Sequence, residues 1–239
     1  MPLGRTRCRL GRSHRAVSDT EQSGSSALPL VASRQAEDFW PWTDAWVREA
    51  RLVRHRLVVV LPGGGYGPLG PALRFPVLAL EQLGPCEALV VAYPTIPTGA
   101  PDASALLATA VADQVLPAIS ASNADDVTIV AKSLGTRALA GIASKLPIDR
   151  AIAAIWLTPL FGATAVRDGA ASSRLPSLLV AGSSDPYHDQ HGFNTVADTL
   201  NARTLIIPNA DHGLETQGDV HATIRSMHDL AQATLDFAG

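Results

Sequence analysis

A chain of 239 residues with 46% hydrophobic and 17% charged residues is long enough and apolar enough to bury one sizeable core, so a single globular domain is the default. The formal net charge is −3, but the first sixteen residues carry five arginines (Arg5, Arg7, Arg9, Arg12, Arg15) and no acid, which leaves −8 on the remainder and argues against nucleic acid as a partner. The longest charge-free stretches, such as 151–166, are broken by Pro159 and Gly162 and fall short of a bilayer span, so no transmembrane helix is expected.

Residues 1–35 are rich in Arg, Ser and Gly and lack the apolar segment of a secretory signal. Such a composition cannot bury enough surface to fold, so it reads as a disordered extension or an over-extended start, with a transit-like or polyanion-binding arm as the alternative. The single domain is then expected over 36–239. Cys8 and Cys86, with no CxxC between them, suit a reducing, cytoplasmic compartment. The stretch FWPWTDAWVREARLV (39–53) holds three close tryptophans, whose expected use is packing across an exposed sheet edge rather than lining a ligand site.

Six short apolar runs follow: LVVVL (57–61), ALVVA (88–92), VTIVA (127–131), AIAAIWL (151–157), SLLVA (177–181) and TLII (204–207). They are continuous rather than alternating, the mark of strands covered on both faces in a parallel sheet. Helical segments lie between most of them. After Asp102, a good N-cap, Leu107, Val111 and Val115 fall on one face, with Leu106 and Ala110 beside them. At the end of the chain Asp219 is expected to cap a helix whose apolar stripe is Val220, Ile224, Met227, Ala231 and Leu235. Alternating strand and helix with right-handed crossovers predicts a doubly wound, mostly parallel α/β sheet. Only about 20 residues separate AIAAIWL from SLLVA, which leaves no room there for a lid domain.

The first strong strand runs into PGGGYG (62–67), a glycine-rich loop at a carboxyl strand end, where open α/β sheets bind ligands. Gly65, Gly67 and Gly70 fit the dinucleotide pattern GxGxxG, as an NAD(P) oxidoreductase would require. That reading needs an acid closing the next strand, which instead ends in AYP (92–94), and Pro68 and Pro71 stand where the phosphate-binding helix should start. The other reading is an oxyanion hole, in which Gly64 or Gly65 supplies a backbone N–H, Gly63 turns the chain and Tyr66 walls the acyl pocket. A plain glycine turn is the bland third possibility.

IVAKSLG (129–135) places Ser133 between a strand and a helix. A serine there is either a helix cap or a nucleophile on a tight elbow, which demands small residues two before and two after it; Ala131 and Gly135 are small. GSSDPYHD (182–189) puts Asp185 after the next-to-last strand, and NADHG (209–213) puts His212 after the last. All three leave carboxyl strand ends and can converge on one face of the sheet, in the order Ser, Asp, His.

Together PGGGY, AKSLG, GSSDPYHD and NADHG, in this order over about residues 50–239, make the sequence resemble the α/β-hydrolase superfamily, in particular its small lidless esterase-like and dienelactone-hydrolase-like members. The resemblance implies Ser133 as nucleophile, His212 as general base and then acid, Asp185 as the residue orienting the imidazole, and the Leu134 N–H as second oxyanion donor. It implies hydrolysis of a small-molecule carboxylic ester or thioester with no metal or cofactor. A non-catalytic binding protein of the same fold is the alternative. Two departures from the family pattern are Ala131 in place of glycine and Pro62 where many relatives carry the histidine of an HG motif. Both leave the backbone donors in place. Strands ahead of LVVVL are poorly marked, so fewer than the family's eight are expected.

Asp211 adjoins His212 too closely in sequence to serve it, and Asp189 is the reserve acid. His188 and His191 (HDQH) have a metal-ligand spacing but no matching pair elsewhere, so a solvated helix start is expected. Lys132 either raises the local positive potential or forms a salt bridge at the sheet edge. Arg137, His221 and His228 are assigned to helix surfaces.

Overall fold

The computed structural model describes residues 34–35, 55–93 and 103–239. The tryptophan-rich stretch 39–53, Asp102, Cys8 and most of the arginine-rich leader lie outside the described residues.

All six apolar runs are strands: β2 (Arg56–Leu61), β3 (Cys86–Val90), β4 (Asp126–Lys132), β5 (Ala151–Leu157), β6 (Ser177–Gly182) and β7 (Arg203–Ile207). They pair in parallel in the order β3-β2-β4-β5-β6-β7. A two-residue strand, β1 (Arg34–Gln35), lies antiparallel against β3, at the end of the stretch read as leader. It brings the sheet among the described residues to seven strands, one short of the family form.

The helices are α1 (Pro71–Gln82), α2 (Ala103–Ala121), α3 (Leu134–Ile142), α4 (Thr164–Ser173), α5 (Gln190–Leu200) and α6 (Val220–Ala238). Strand alternation sorts the buried side chains into two cores. Leu57, Val59, Leu61, Ile129 and Ala131 face α2 to α5, while Val58, Val60, Val130, Ile155 and Val180 face α1 and α6. Both faces of the sheet are covered, which is why β2, β6 and all of β4 after its first residue are buried without an exposed position. One helix joins β5 to β6, so no lid domain is inserted there. Helix α2 is long and apolar enough to cross a membrane by composition alone. Leu107, Val111, Val115 and Ile119 are nonetheless buried in the core on one face, and Asp113 is exposed on another.

The stripe expected on the last helix is displaced. Asp219 does cap it, accepting the Ala222 N–H at 2.9 Å, but Val220 and Ile224 are 65% and 60% exposed. The buried residues are Ser226, Met227, Leu230 and Thr234. Ser226 and Thr234 donate their hydroxyls to the carbonyls of Ala222 and Leu230, so they enter the core without unpaired polar groups. A count of apolar side chains passes over such residues.

At the amino ends of the strands Arg56 donates from Nε and Nη2 to the Asp126 carboxylate at 2.7 and 3.1 Å, and from Nη2 to the Ala238 carbonyl at 3.2 Å. These bonds tie β2, β4 and the end of α6 together. Glu81 on α1 is less well provided for: its Oε1 is buried with no hydrogen-bond partner among the described residues, and burial pushes its carboxyl up to about 7. A carboxyl raised in the folded state contributes stability below its unfolded value of 4.5, lost as pH rises to about 7. Glu81→Gln is therefore expected to stabilise the protein at pH 8 by about 1 kcal/mol and to be neutral below pH 4.5, as read by urea denaturation. Equal effects at both pH values would contradict the assignment.

Candidate active site

Ser133 stands between β4 and α3 with φ 51° and ψ −110°, a left-handed conformation that a non-glycine residue holds only at a cost of about 1–3 kcal/mol. Its neighbours impose it. The Ser133 N–H donates to the Leu157 carbonyl of β5 at 3.0 Å, and the Ser133 carbonyl accepts both the Thr136 N–H at 2.9 Å and the Thr136 hydroxyl at 2.6 Å. Thr136 Oγ1 in turn accepts the Leu160 N–H at 3.3 Å, so a fully buried threonine clamps the elbow to the loop after β5. The Ser133 side chain makes no cap bond to α3 and turns to His212 instead.

The two small residues around the serine are under unequal demands. A Cβ on Gly135 would lie 2.1 Å from the Leu61 carbonyl oxygen, so only glycine fits. Ala131 pairs with Leu61 and Trp156 in register and turns its methyl group into the α2–α5 core, where it is fully buried. The departure at Ala131 is thus accommodated. Gly135→Ala is expected to destabilise the fold by about 3 kcal/mol and to remove activity, measurable by thermal melts and ester turnover. A melting temperature equal to wild type would refute the tight approach of α3 to β2.

His212 bridges the other two predicted residues. Its Nε2 lies 2.7 Å from Ser133 Oγ and its Nδ1 lies 2.8 Å from Asp185 Oδ2. Ionised Asp185 can only accept, so Nδ1 carries the proton and Nε2 is left to accept the Ser133 hydroxyl. Asp185 is 7% exposed. Burial pushes its carboxyl up, but the hydrogen bonds from His212 and from the Tyr187 N–H, with His212 and Lys132 nearby, outweigh that and hold it below the usual carboxylate range. The two loops that carry Asp185 and His212 are bonded to each other: the Ser183 and Ser184 N–H groups donate to the Ile207 and Ala210 carbonyls, and the Asn209 N–H donates to Ser183 Oγ. Their approach is so close that a Cβ on Gly182 would lie 2.2 Å from the Ala210 carbonyl oxygen.

The glycine loop lies against the elbow. The Cβ position of Gly63 is 3.5 Å from Ser133 Cβ, and that of Gly64 is 3.7 Å from Leu134 Cδ2. Gly65 has φ +76° and open space around it. Leu134 is the first residue of α3, so its N–H has no partner within the helix. Tyr66 turns away toward α1: its hydroxyl accepts the Ala72 N–H at 2.9 Å, and its ring lies under Lys132 Nζ, 4.5 Å from the centroid. That use of Tyr66 blocks the dinucleotide reading, because it occupies the amino end of α1, and its ring fills the space a Cβ at Gly70 would need.

Asp211 accepts the Gly213 and Glu215 N–H groups and closes its own turn, while Asp189 sits at the amino end of α5 with Arg167 3.8 Å away. His188 pairs with Gln190 at 3.1 Å, and among the described residues no cluster of His, Cys, Asp or Glu could hold a metal ion. Burial pushes the Cys86 thiol up to about 12, away from nucleophilic use.

Sequence reading missed Thr136, Thr158, Tyr187 and the placement of Lys132. Tyr187 is 62% exposed and meets the His212 ring edge-on at 4.9 Å between centroids. Lys132 makes no salt bridge among the described residues and is not at a sheet edge: β4 is the central strand, and the ammonium is buried. The one available signal was parity, since Lys132 shares the face of Val130.

No protein-family model matches the sequence, and no curated protein matches it significantly. Solved structures do match. A CIB-like hydrolase from Thermoplasma acidophilum superposes with a TM-score of 0.56 at 16% identity, over 76% of this chain and 85% of its own. An α/β serine hydrolase homologue from Coxiella burnetii gives 0.59 at 13% identity, over 77% and 85%. A lidless α/β serine hydrolase from Xanthomonas campestris gives 0.51 at 18% identity, over 77% and 81%. The chain has the α/β-hydrolase fold, in its small lidless form.

Proposed function

We propose that this protein is a serine hydrolase that cleaves a small-molecule carboxylic ester or thioester through an acyl-enzyme at Ser133. The observation that carries the proposal is the unbroken hydrogen-bonded series from Ser133 Oγ through His212 to Asp185 at the carboxyl ends of three parallel strands. The hydrolase fold of the neighbours supports the same reading.

In this mechanism Ser133 Oγ attacks the carbonyl carbon as His212 Nε2 takes its proton, and Asp185 holds the resulting imidazolium. The tetrahedral oxyanion is received by the Leu134 N–H, aided by the positive end of α3, and by the N–H of Gly64 or Gly65. His212 then protonates the departing alcohol or thiol. A water deprotonated by His212 attacks the acyl-enzyme, and Ser133 recovers its proton as the acid leaves. No step calls for a metal or a cofactor.

A fluorophosphonate probe on the folded protein tests the proposal, with a panel of aryl esters and acyl thioesters of graded chain length for the substrate. An adduct at Ser133 and turnover of at least one series are expected. No adduct and no turnover would leave a non-catalytic binding protein of this fold.

A further inference from the structure

We infer that Lys132 is a positioning residue for the proposed catalytic histidine: its buried ammonium, anchored under the site, holds the His212 main chain so that the imidazole meets both Ser133 and Asp185. The inference rests on the hydrolase reading above.

Its grounds are geometric. Lys132 is the last residue of β4, and alternation sends its side chain with that of Val130 into the α1–α6 side of the sheet. There it is 1% exposed, directly before a serine whose own side chain points into the site. Nζ donates to the His212 carbonyl at 2.6 Å and to Thr158 Oγ1 at 3.2 Å, and it lies over the Tyr66 ring at 4.5 Å. The ammonium is therefore held by three elements: the glycine loop, the end of β5 and the histidine loop. Thr158 is itself fixed in a left-handed conformation, φ 45°, by donating its N–H to the Val180 carbonyl at 2.7 Å. One strand end thus carries adjacent residues that grip the two sides of one histidine. Ser133 meets its ring, and Lys132 meets its backbone.

A buried cation is a poor choice for packing alone, because desolvation opposes it and an apolar side chain of the same length would fill the space. Its charged form has a use here, since a charge-assisted bond to a carbonyl is stronger than a neutral one. The groups facing it are Tyr66 from the glycine loop, Asp185 from the acid loop, and Asp211, His212 and Glu215 from the histidine loop. Desolvation outweighs those three acids and lowers the Lys132 ammonium to about 8. The sign for stability follows: a lysine lowered in the folded state opposes folding below about 8, and that opposition fades as pH rises toward 10.5. Activity moves the other way, because the neutral amine grips the carbonyl less strongly.

The test is kcat, KM and fluorophosphonate labelling rate from pH 6 to 10 for wild type, Lys132→Met and Thr158→Val, with melting temperatures at each pH. Wild-type activity is expected to fall with a midpoint near pH 8, while the melting temperature between pH 8 and 9 does not fall with it. Lys132→Met is expected to lose about 10²-fold in kcat with KM little changed, and to lose the alkaline limb. Thr158→Val, which takes one acceptor from the ammonium, should move the limb to lower pH, and this decides the matter if Lys132→Met does not fold. Wild-type activity level through pH 10, or a limb unchanged in the variants, overturns the inference. If wild type is inert toward every ester and probe, the hydrolase reading fails instead. The low-field NMR signal of the His212–Asp185 proton then still reports on Lys132: its broadening between pH 7 and 9 supports the inference, and a signal constant to pH 10 overturns it.

Discussion

Ser133→Ala is expected to lower kcat for any ester the protein turns over by about 10⁶-fold and to abolish fluorophosphonate labelling, with the fold intact. The size follows from the geometry. Removing Oγ deletes the group that lies 2.7 Å from His212 Nε2, and the residual rate then depends on water attacking a carbonyl held beside Leu134 and the glycine loop. Stability should change little, since Ser133 makes no side-chain cap bond. Relief of the left-handed strain is not expected, because alanine at φ 51° is no better placed than serine. Single-turnover kinetics and mass spectrometry of the labelled protein check this result. Turnover within tenfold of wild type would end the acyl-enzyme mechanism.

Asp185→Asn is expected to cost about 10⁴-fold in kcat at neutral pH with KM near wild type. The asparagine amide can present N–H₂ where the carboxylate could only accept. His212 then places its proton on Nε2, the atom that must receive the Ser133 proton, and the base is lost without loss of shape. Buried charge strengthens the effect: Asp185 is held ionised by its bonds to His212 and Tyr187, and an imidazolium facing a neutral amide has no counterion. Asp189→Asn and Asp211→Asn provide the contrast, since Asp189 contacts Arg167 and Asp211 closes its own turn. Both should stay within about threefold of wild type in kcat, the range of substitutions away from the reacting groups. A loss at Asp189 matching that at Asp185 would move the orienting role to the reserve acid.

The strands and the order of the site residues were legible because they rest on local signals. Continuous β-branched runs mark strands covered on both faces, and each of β2 to β7 lies within a few residues of its run. Ser133, Asp185 and His212 could be read because a parallel sheet brings every carboxyl strand end to one side, so position in sequence implies position in space. Where burial rests on polar side chains, legibility stops. Ser226 and Thr234 are buried on α6 in place of the apolar Val220 and Ile224 because each satisfies its hydroxyl on its own helix. Tyr66 is placed by a bond to the start of α1, and its ring serves Lys132.

By itself the sequence determined the α/β order, the absence of room for a lid between β5 and β6, and the three residues whose chain order suits a nucleophile, an acid and a base. Only the tertiary structure decided that Gly135 is obligatory where Ala131 is not, that Thr136 clamps the elbow, and that Lys132 lies buried beneath His212. Periodicity along a strand says which face a residue takes. Whether a buried ammonium is tolerated depends on a carbonyl 80 residues away in sequence and on a hydroxyl 26 residues away, and only folding brings those together.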